Sequence, residues 1–108
     1  MSELASTPEP PYYAVIFTSV RTGAEEQEYA EMAARMVELA AQQPGYLGME
    51  HAGTPGGSSI TVSYWSDEES IANWREHAEH KVAQQHGREK WYESFALRIA
   101  KVESARSM

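Results

Sequence analysis

Four side chains with possible roles in catalysis lie close together in one stretch of the chain: Asn73, Trp74, His77 and His80. An imidazole titrates near neutral pH, so a histidine could act as a general base toward a phenol. An amide could hold a substrate carbonyl or a developing oxyanion, and an indole could form an apolar wall. The two histidines are one helical turn apart and could reach one metal ion, but no further residue is spaced to complete such a site.

The same four residues also have ordinary structural explanations. An aromatic residue at helical spacing is most often part of the core, and a cavity wall has the same sequence pattern as a core. The stretch is rich in charge, with Glu76, Glu79 and Lys81. Exposure to solvent is therefore the plain alternative for the histidines and for the asparagine.

Several other residues are candidates for the walls of a binding site because they lie in or beside predicted strands. Tyr64 could donate a hydrogen bond to a substrate oxygen, or it could close an interface between two copies of the chain. Trp91 precedes the last predicted strand and could instead plug one end of a barrel. The predicted substrate-binding residues are Phe17, Ser19, Tyr64, Trp65 and Trp91. The sequence contains no phosphate-binding glycine loop, serine–histidine–acid pattern or nucleotide-binding fingerprint.

Composition excludes several classes of function. The 108 residues predict one folded domain, and the absence of cysteine excludes thiol catalysis, disulfides and thiolate metal sites. A net charge of −7 argues against a nucleic-acid partner and against an anionic membrane surface. We find no apolar run long enough to span a bilayer and no signal-peptide pattern at the N-terminus, so the sequence predicts a cytoplasmic protein.

Periodicity predicts six elements between two polar tails. Residues 1–11 are proline-rich and are expected to form a disordered tail, residues 12–103 form the domain, and residues 104–108 form a frayed C-terminal tail. Ser66 is expected to cap the second helix in a capping box with Glu69, next to the acidic Asp67 and Glu68. The predicted elements are strands at 12–20, 46–52, 60–65 and 93–103, with helices at 25–43 and after Ser66.

This order predicts an α+β, ferredoxin-like βαββαβ fold with a four-stranded antiparallel sheet. Both helices should pack on one face of the sheet. The first strand is apolar on both faces, so the other face should also be covered. A second copy packed face to face by a two-fold axis would provide that cover, and we therefore expect a homodimer.

Four segments of the chain together resemble the antibiotic biosynthesis monooxygenase (ABM) domain. They are FTS in the first strand, QQPGYLGME after the first helix, ITVSYW leading into DEESIANWREHAEH, and GREKWY before the last strand. The resemblance covers residues 12–103 and implies a dimeric α+β barrel. Some members of this family oxidise polyketide phenols or quinols with oxygen and without metal or cofactor. Others degrade haem, and many have no assigned reaction.

The resemblance gives some of the candidate residues a role. Trp74 matches a helix tryptophan that lines the cavity in several members. The haem-degrading branch has an asparagine on the first strand, absent here, and a ligand histidine about three turns beyond that tryptophan. That distance leads to Gln84, with His86 two residues further on.

The expected function is therefore a cofactor-independent monooxygenase acting on a small aromatic or quinol-type molecule. Trp74 would be the wall, Asn73 the polar anchor and His77 the base. Two alternatives are a ligand-binding dimeric barrel without catalysis, and a haem-binding or haem-degrading protein.

Overall fold

The computed structural model describes residues 4–84 and 90–108, with side chains in the second helix described as far as His80. The elements have the predicted β-α-β-β-α-β order, and the fold is ferredoxin-like α+β. They are β1 (Tyr12–Arg21), α1 (Glu26–Ala41), β2 (Tyr46–Gly53), β3 (Ser58–Trp65), α2 (Glu68–Gln84) and β4 (Tyr92–Val102). Each boundary lies within a few residues of its predicted position.

The four strands form one antiparallel sheet in the order β2-β3-β1-β4. Residues paired across neighbouring strands point to the same face of a sheet, so the register sorts the side chains. Val15 pairs with Ser63, and Tyr13 pairs with Trp65, on the face that carries both helices. Tyr12, Ala14 and Tyr64 belong to the other, helix-free face.

The core lies between the helices and the sheet. It consists of Val15 from β1, Trp65 from β3, Ala40 from α1, and Ile71 and Trp74 from α2. Trp65 is fully buried, because the odd-numbered positions of β3 face the helices. Trp74 is a core residue in this arrangement, as the structural explanation of its helical spacing predicts.

The predicted capping box at the start of α2 is wrong. The helix begins at Glu68, and the Asp67 carboxylate caps it by accepting a hydrogen bond from the Ser70 amide at 2.8 Å. This bond, together with further bonds from Ser70 and Ser66, lowers the pKa of the Asp67 carboxyl. The Ser66 amide donates instead to the Gly45 carbonyl at 2.8 Å, which holds Ser66 in the preceding loop.

Residues 4–11, the N-terminal segment, lie along part of the helix-free face. The amide of Ala5 donates to Oε2 of Glu50 at 2.9 Å, and the hydroxyls of Thr7 and Tyr12 are 2.9 Å apart. Tyr12 and Ala14 are only 4% and 5% exposed, although they point away from the helices. The chain therefore covers part of this face itself, which the sequence did not predict. Disorder of residues 1–11 in solution stays a prediction.

Within the described ranges, no helix is both long enough and apolar enough to cross a membrane.

Candidate functional site

An aromatic stack runs from the start of β2 to the middle of α2. The ring of Tyr46 meets Trp65 edge-on with centroids 5.6 Å apart, and Trp65 stacks on Trp74 at 6.1 Å. Trp74 in turn stacks on His77 at 5.7 Å. The structure thus brings three of the predicted site residues, Trp65, Trp74 and His77, into one continuous group.

One hydrogen bond holds the strand end of this stack. Nε1 of Trp65 donates to Oγ of Ser63 at 2.9 Å, and both residues are buried. A buried indole N–H needs an acceptor, since an unpaired buried donor is costly. The sequence does not predict this bond, because a serine in a strand carries no signal of a tryptophan partner on its own strand.

His77 ends the stack with an unpaired nitrogen. Its Nε2 atom is buried and has no hydrogen-bond partner among the described residues. The ring itself is half-buried. An imidazole nitrogen that is not engaged within the protein is free to take a proton from a bound hydroxyl group.

The other polar candidates on α2 lie away from the stack. Asn73 and His80 are exposed, so the structure does not bring Asn73 together with Trp74 and His77. Within the part of the chain that the structure describes, no three histidine or carboxylate side chains are grouped to hold a metal ion. The residues of the haem alternative fall outside: His86 is not described, nor is the side chain of Gln84.

A groove of about 330 Å³ lies between α2 and β4, on the helix side of the sheet. Its walls are Arg75 and Glu79 from α2 and Phe95, Leu97 and Ile99 from β4. Phe17 packs against Phe95 with centroids 5.6 Å apart, so this predicted site residue lies beside the groove floor. The three β4 side chains are about two-fifths exposed, although their alternation predicts a buried strand face.

Tyr64 lies on the helix-free face and is separated from the stack by the sheet. Its hydroxyl donates to Oε1 of Glu50 at 2.6 Å, and its ring meets Tyr12 edge-on at 5.8 Å. Burial, and then the neighbouring Glu50 carboxylate, raise the pKa of Tyr64 to about 12. A neutral phenol bound to a carboxylate is a structural anchor in this arrangement.

The two remaining predicted site residues are buried in separate surroundings. Ser19 is beneath the helices, with its hydroxyl 3.3 Å from that of Ser59. Trp91 packs edge-on against Tyr29 of α1 at 5.6 Å, close to the start of β4. Trp91 is fully buried there, and its role as a plug for the end of a barrel stays a prediction.

Comparison with known proteins agrees with this architecture. The chain is 53% identical over 106 residues to the uncharacterized protein YqjZ of Bacillus subtilis (strain 168), covering 98% of this chain and 92% of that protein. It is 40% identical over 43 residues to a Jasmonate monooxygenase ABM of Pyricularia oryzae, covering 40% of this chain and 20% of that protein.

Among solved structures, the fold is similar to SnoaB, a cofactor-independent oxygenase from Streptomyces nogalater. The TM-score is 0.69 at 15% identity, covering 92% of this chain and 97% of that one. Residues 11–86 match the sequence profile of the family described as antibiotic biosynthesis monooxygenase. The chain therefore belongs to the antibiotic biosynthesis monooxygenase family.

Proposed function

We propose that the protein is a cofactor-independent monooxygenase that acts on a small aromatic or quinol-type molecule. The observation that carries the proposal is the buried Nε2 of His77 at the end of the aromatic stack, which has no hydrogen-bond partner among the described residues. Membership of the ABM family supports the same reaction class, as does the structural neighbour SnoaB, a cofactor-independent oxygenase.

In the proposed reaction, His77 takes a proton from the substrate, and the resulting anion transfers one electron to molecular oxygen. The substrate radical and superoxide combine to form a carbon–oxygen bond. The peroxide then loses water, so that a CH₂ group and O₂ become a carbonyl group and H₂O. The apolar surroundings of Trp65 and Trp74 exclude bulk water from the reacting anion.

Substrate access requires movement of the His77 ring or of α2. Nε2 of His77 is covered by protein atoms, so a hydroxyl group can reach it only if the imidazole rotates or the helix moves outward. The groove between α2 and β4 borders the opposite flank of the helix and leaves that flank only partly packed. Asn73 would contribute as the polar anchor only if the movement of α2 brought it inward.

The proposal includes a homodimer formed through the helix-free face. The N-terminal segment covers only part of this face, and Ile60 remains 48% exposed there. A second sheet packed on the remaining area would bury it. Sedimentation equilibrium should therefore give a dimer at micromolar concentration, and a stable monomer would remove this part of the proposal.

Oxygen uptake with a panel of anthrones and hydroquinones tests the reaction. His77→Ala should lower kcat about 100-fold or more, the usual contribution of a general base. His80→Ala is the matched control, because it removes an exposed histidine from the next turn of the same helix. Trp74→Phe should lower the rate less than His77→Ala does. Equal rates in the wild type and His77→Ala would remove His77 from the mechanism.

The groove between α2 and β4 favours one further candidate, ligand binding without turnover. It offers an apolar floor, and no histidine is among the described residues that form its walls. Saturable binding of the same compounds with no oxygen uptake would favour this candidate. Adding haemin tests the haem alternative, since a shift of its Soret absorption band would show binding.

A further inference from the structure

The two stacking contacts that lead to His77 have the same geometry. The planes of Trp65 and Trp74 are 24° apart, and those of Trp74 and His77 are also 24° apart. Each ring therefore lies at a shallow angle to the next, although the first comes from a strand and the other two from a helix. The orientation of the last ring depends on the two before it, because close-packed rings cannot rotate independently.

A single directional bond fixes the first of these rings. Stacking alone leaves a ring free to slide or turn in its own plane. The Nε1–H of Trp65 removes this freedom, because it donates to Oγ of Ser63 at 2.9 Å inside the core. Without that acceptor, the indole would have to turn toward another polar group or leave its donor unpaired.

We propose that Ser63 is a positioning residue for His77, acting through Trp65 and Trp74. The Ser63 hydroxyl fixes the indole of Trp65, and the two stacking contacts transmit this orientation to the imidazole and aim its Nε2. The inference rests on the proposed role of His77 as the base. Ser63 does not touch the reacting atoms in this scheme.

Ser19 provides a matched control for Ser63. Both are buried serines on the helix side of the sheet, in neighbouring strands. The Ser19 hydroxyl is paired with Ser59, and among the described hydrogen bonds none joins it to a ring of the stack. A general loss of packing should follow from either serine-to-alanine change, whereas loss of ring orientation should follow from Ser63→Ala alone.

The test combines NMR of the His77 side chain with steady-state kinetics. In Ser63→Ala, we expect shifted imidazole signals and weaker magnetisation transfer between the Trp74 and His77 rings. We also expect kcat to fall about tenfold or more at unchanged KM. A small displacement of a catalytic group lowers the rate of the chemical step. Ser63→Thr, which keeps the hydroxyl, should restore both readouts, and Ser19→Ala should leave the His77 signals near wild type.

Trp65→Phe gives a second route if Ser63→Ala fails to fold. It removes the donor and leaves the serine, and it should produce the same change in the His77 signals. Unchanged His77 signals in folded Ser63→Ala or Trp65→Phe would overturn the inference. Equal changes in the His77 signals of Ser63→Ala and Ser19→Ala would also overturn it, since they would indicate a general loss of packing.

The spectroscopic result does not depend on activity. If the wild-type protein oxidises none of the compounds while Ser63→Ala alone shifts the His77 signals, the positioning of the ring is supported and the proposed reaction is not. If the wild type is active and Ser63→Ala shifts no signal, the reaction stands and the positioning role is wrong.

Discussion

Glu50 uses both of its carboxylate oxygens on the helix-free face. Oε1 accepts the hydrogen bond from Tyr64, and Oε2 accepts the one from the amide of Ala5. One residue of β2 therefore ties together a strand tyrosine and the N-terminal segment. Burial, and then the negative carboxylate beside it, disfavour ionisation of the Tyr64 phenol, which therefore stays protonated.

This arrangement predicts a pH dependence at the alkaline end. The pKa of Tyr64 is raised to about 12 in the folded protein. The contribution of the protonated phenol to stability is therefore fully present below the pKa of a tyrosine in the unfolded chain, about 10. That contribution is lost as the pH rises through the folded value. Glu50→Gln should lower the pKa of Tyr64, as followed by the ultraviolet absorbance of tyrosinate, with Tyr64→Phe identifying the signal. An unchanged midpoint in Glu50→Gln would show that burial alone causes the shift.

At the scale of single residues, the sequence was better at indicating candidate side chains than at predicting which other side chains surround them. Trp74 and His77 are close in the fold as predicted, because residues one turn apart on a helix are neighbours. Asn73 turned out to be exposed, since each helical residue is rotated by about 100° from the one before it. The side chain of Tyr64 faces away from that of Trp65, because neighbouring residues of a strand point to opposite faces. The hydrogen bond between Trp65 and Ser63 was not predicted, because it is set by packing in the core.

At the scale of elements, the junction between α1, β2 and α2 depends on Gly45. Its φ is +85°, a left-handed conformation that costs a side chain about 1–3 kcal/mol. A Cβ at this position would also lie 2.1 Å from Oγ of Ser70. The start of α2 therefore packs directly against the backbone that leads into β2.

Gly45→Ala should lower the free energy of unfolding by at least about 1 kcal/mol, from strain and from displacement of α2. Urea denaturation measures the change. Gly57→Ala is the control, because a Cβ there would meet its nearest atoms at 3.6 Å, an ordinary contact distance. Equal losses in the two variants would mean that the close approach at Gly45 has no special cost.

The helices and strands were predictable because their signals are local. The spacing of apolar residues and the breaks at Pro44 and Gly45 define each element within a few residues. The cap of α2 was not predictable in the same way. Its position depends on a bond between the Ser66 amide and the Gly45 carbonyl, which flank the β2–β3 hairpin in the sequence.

At the scale of the whole molecule, the sheet is covered in two ways. Helices cover one face, and the N-terminal segment covers part of the other, where Tyr12 and Ala14 are buried. Apolar content on both faces of β1 predicted that both needed cover. It did not predict that the chain supplies some of this cover, because the contacts at Gly48 and Glu50 form only when the sheet is assembled.

Deleting residues 2–9 should lower the free energy of unfolding by at least about 1 kcal/mol, because it exposes Tyr12 and removes two hydrogen bonds. Deleting residues 104–108, which are exposed, should have little effect. Urea denaturation of both variants gives the comparison. If the two deletions are equally harmless, the segment adds nothing to the stability of the sheet.

The path of the N-terminal segment also decides how the protein should be handled. An affinity tag or fusion partner joined to the N-terminus would be held beside the helix-free face, because Ala5 is anchored to Glu50 there. Such an attachment would interfere with the surface through which copies are proposed to associate. An oligomeric state measured with the tag in place would then differ from that of the untagged protein. The exposed C-terminal residues offer the safer point of attachment for purification, surface immobilisation or fluorescent labelling.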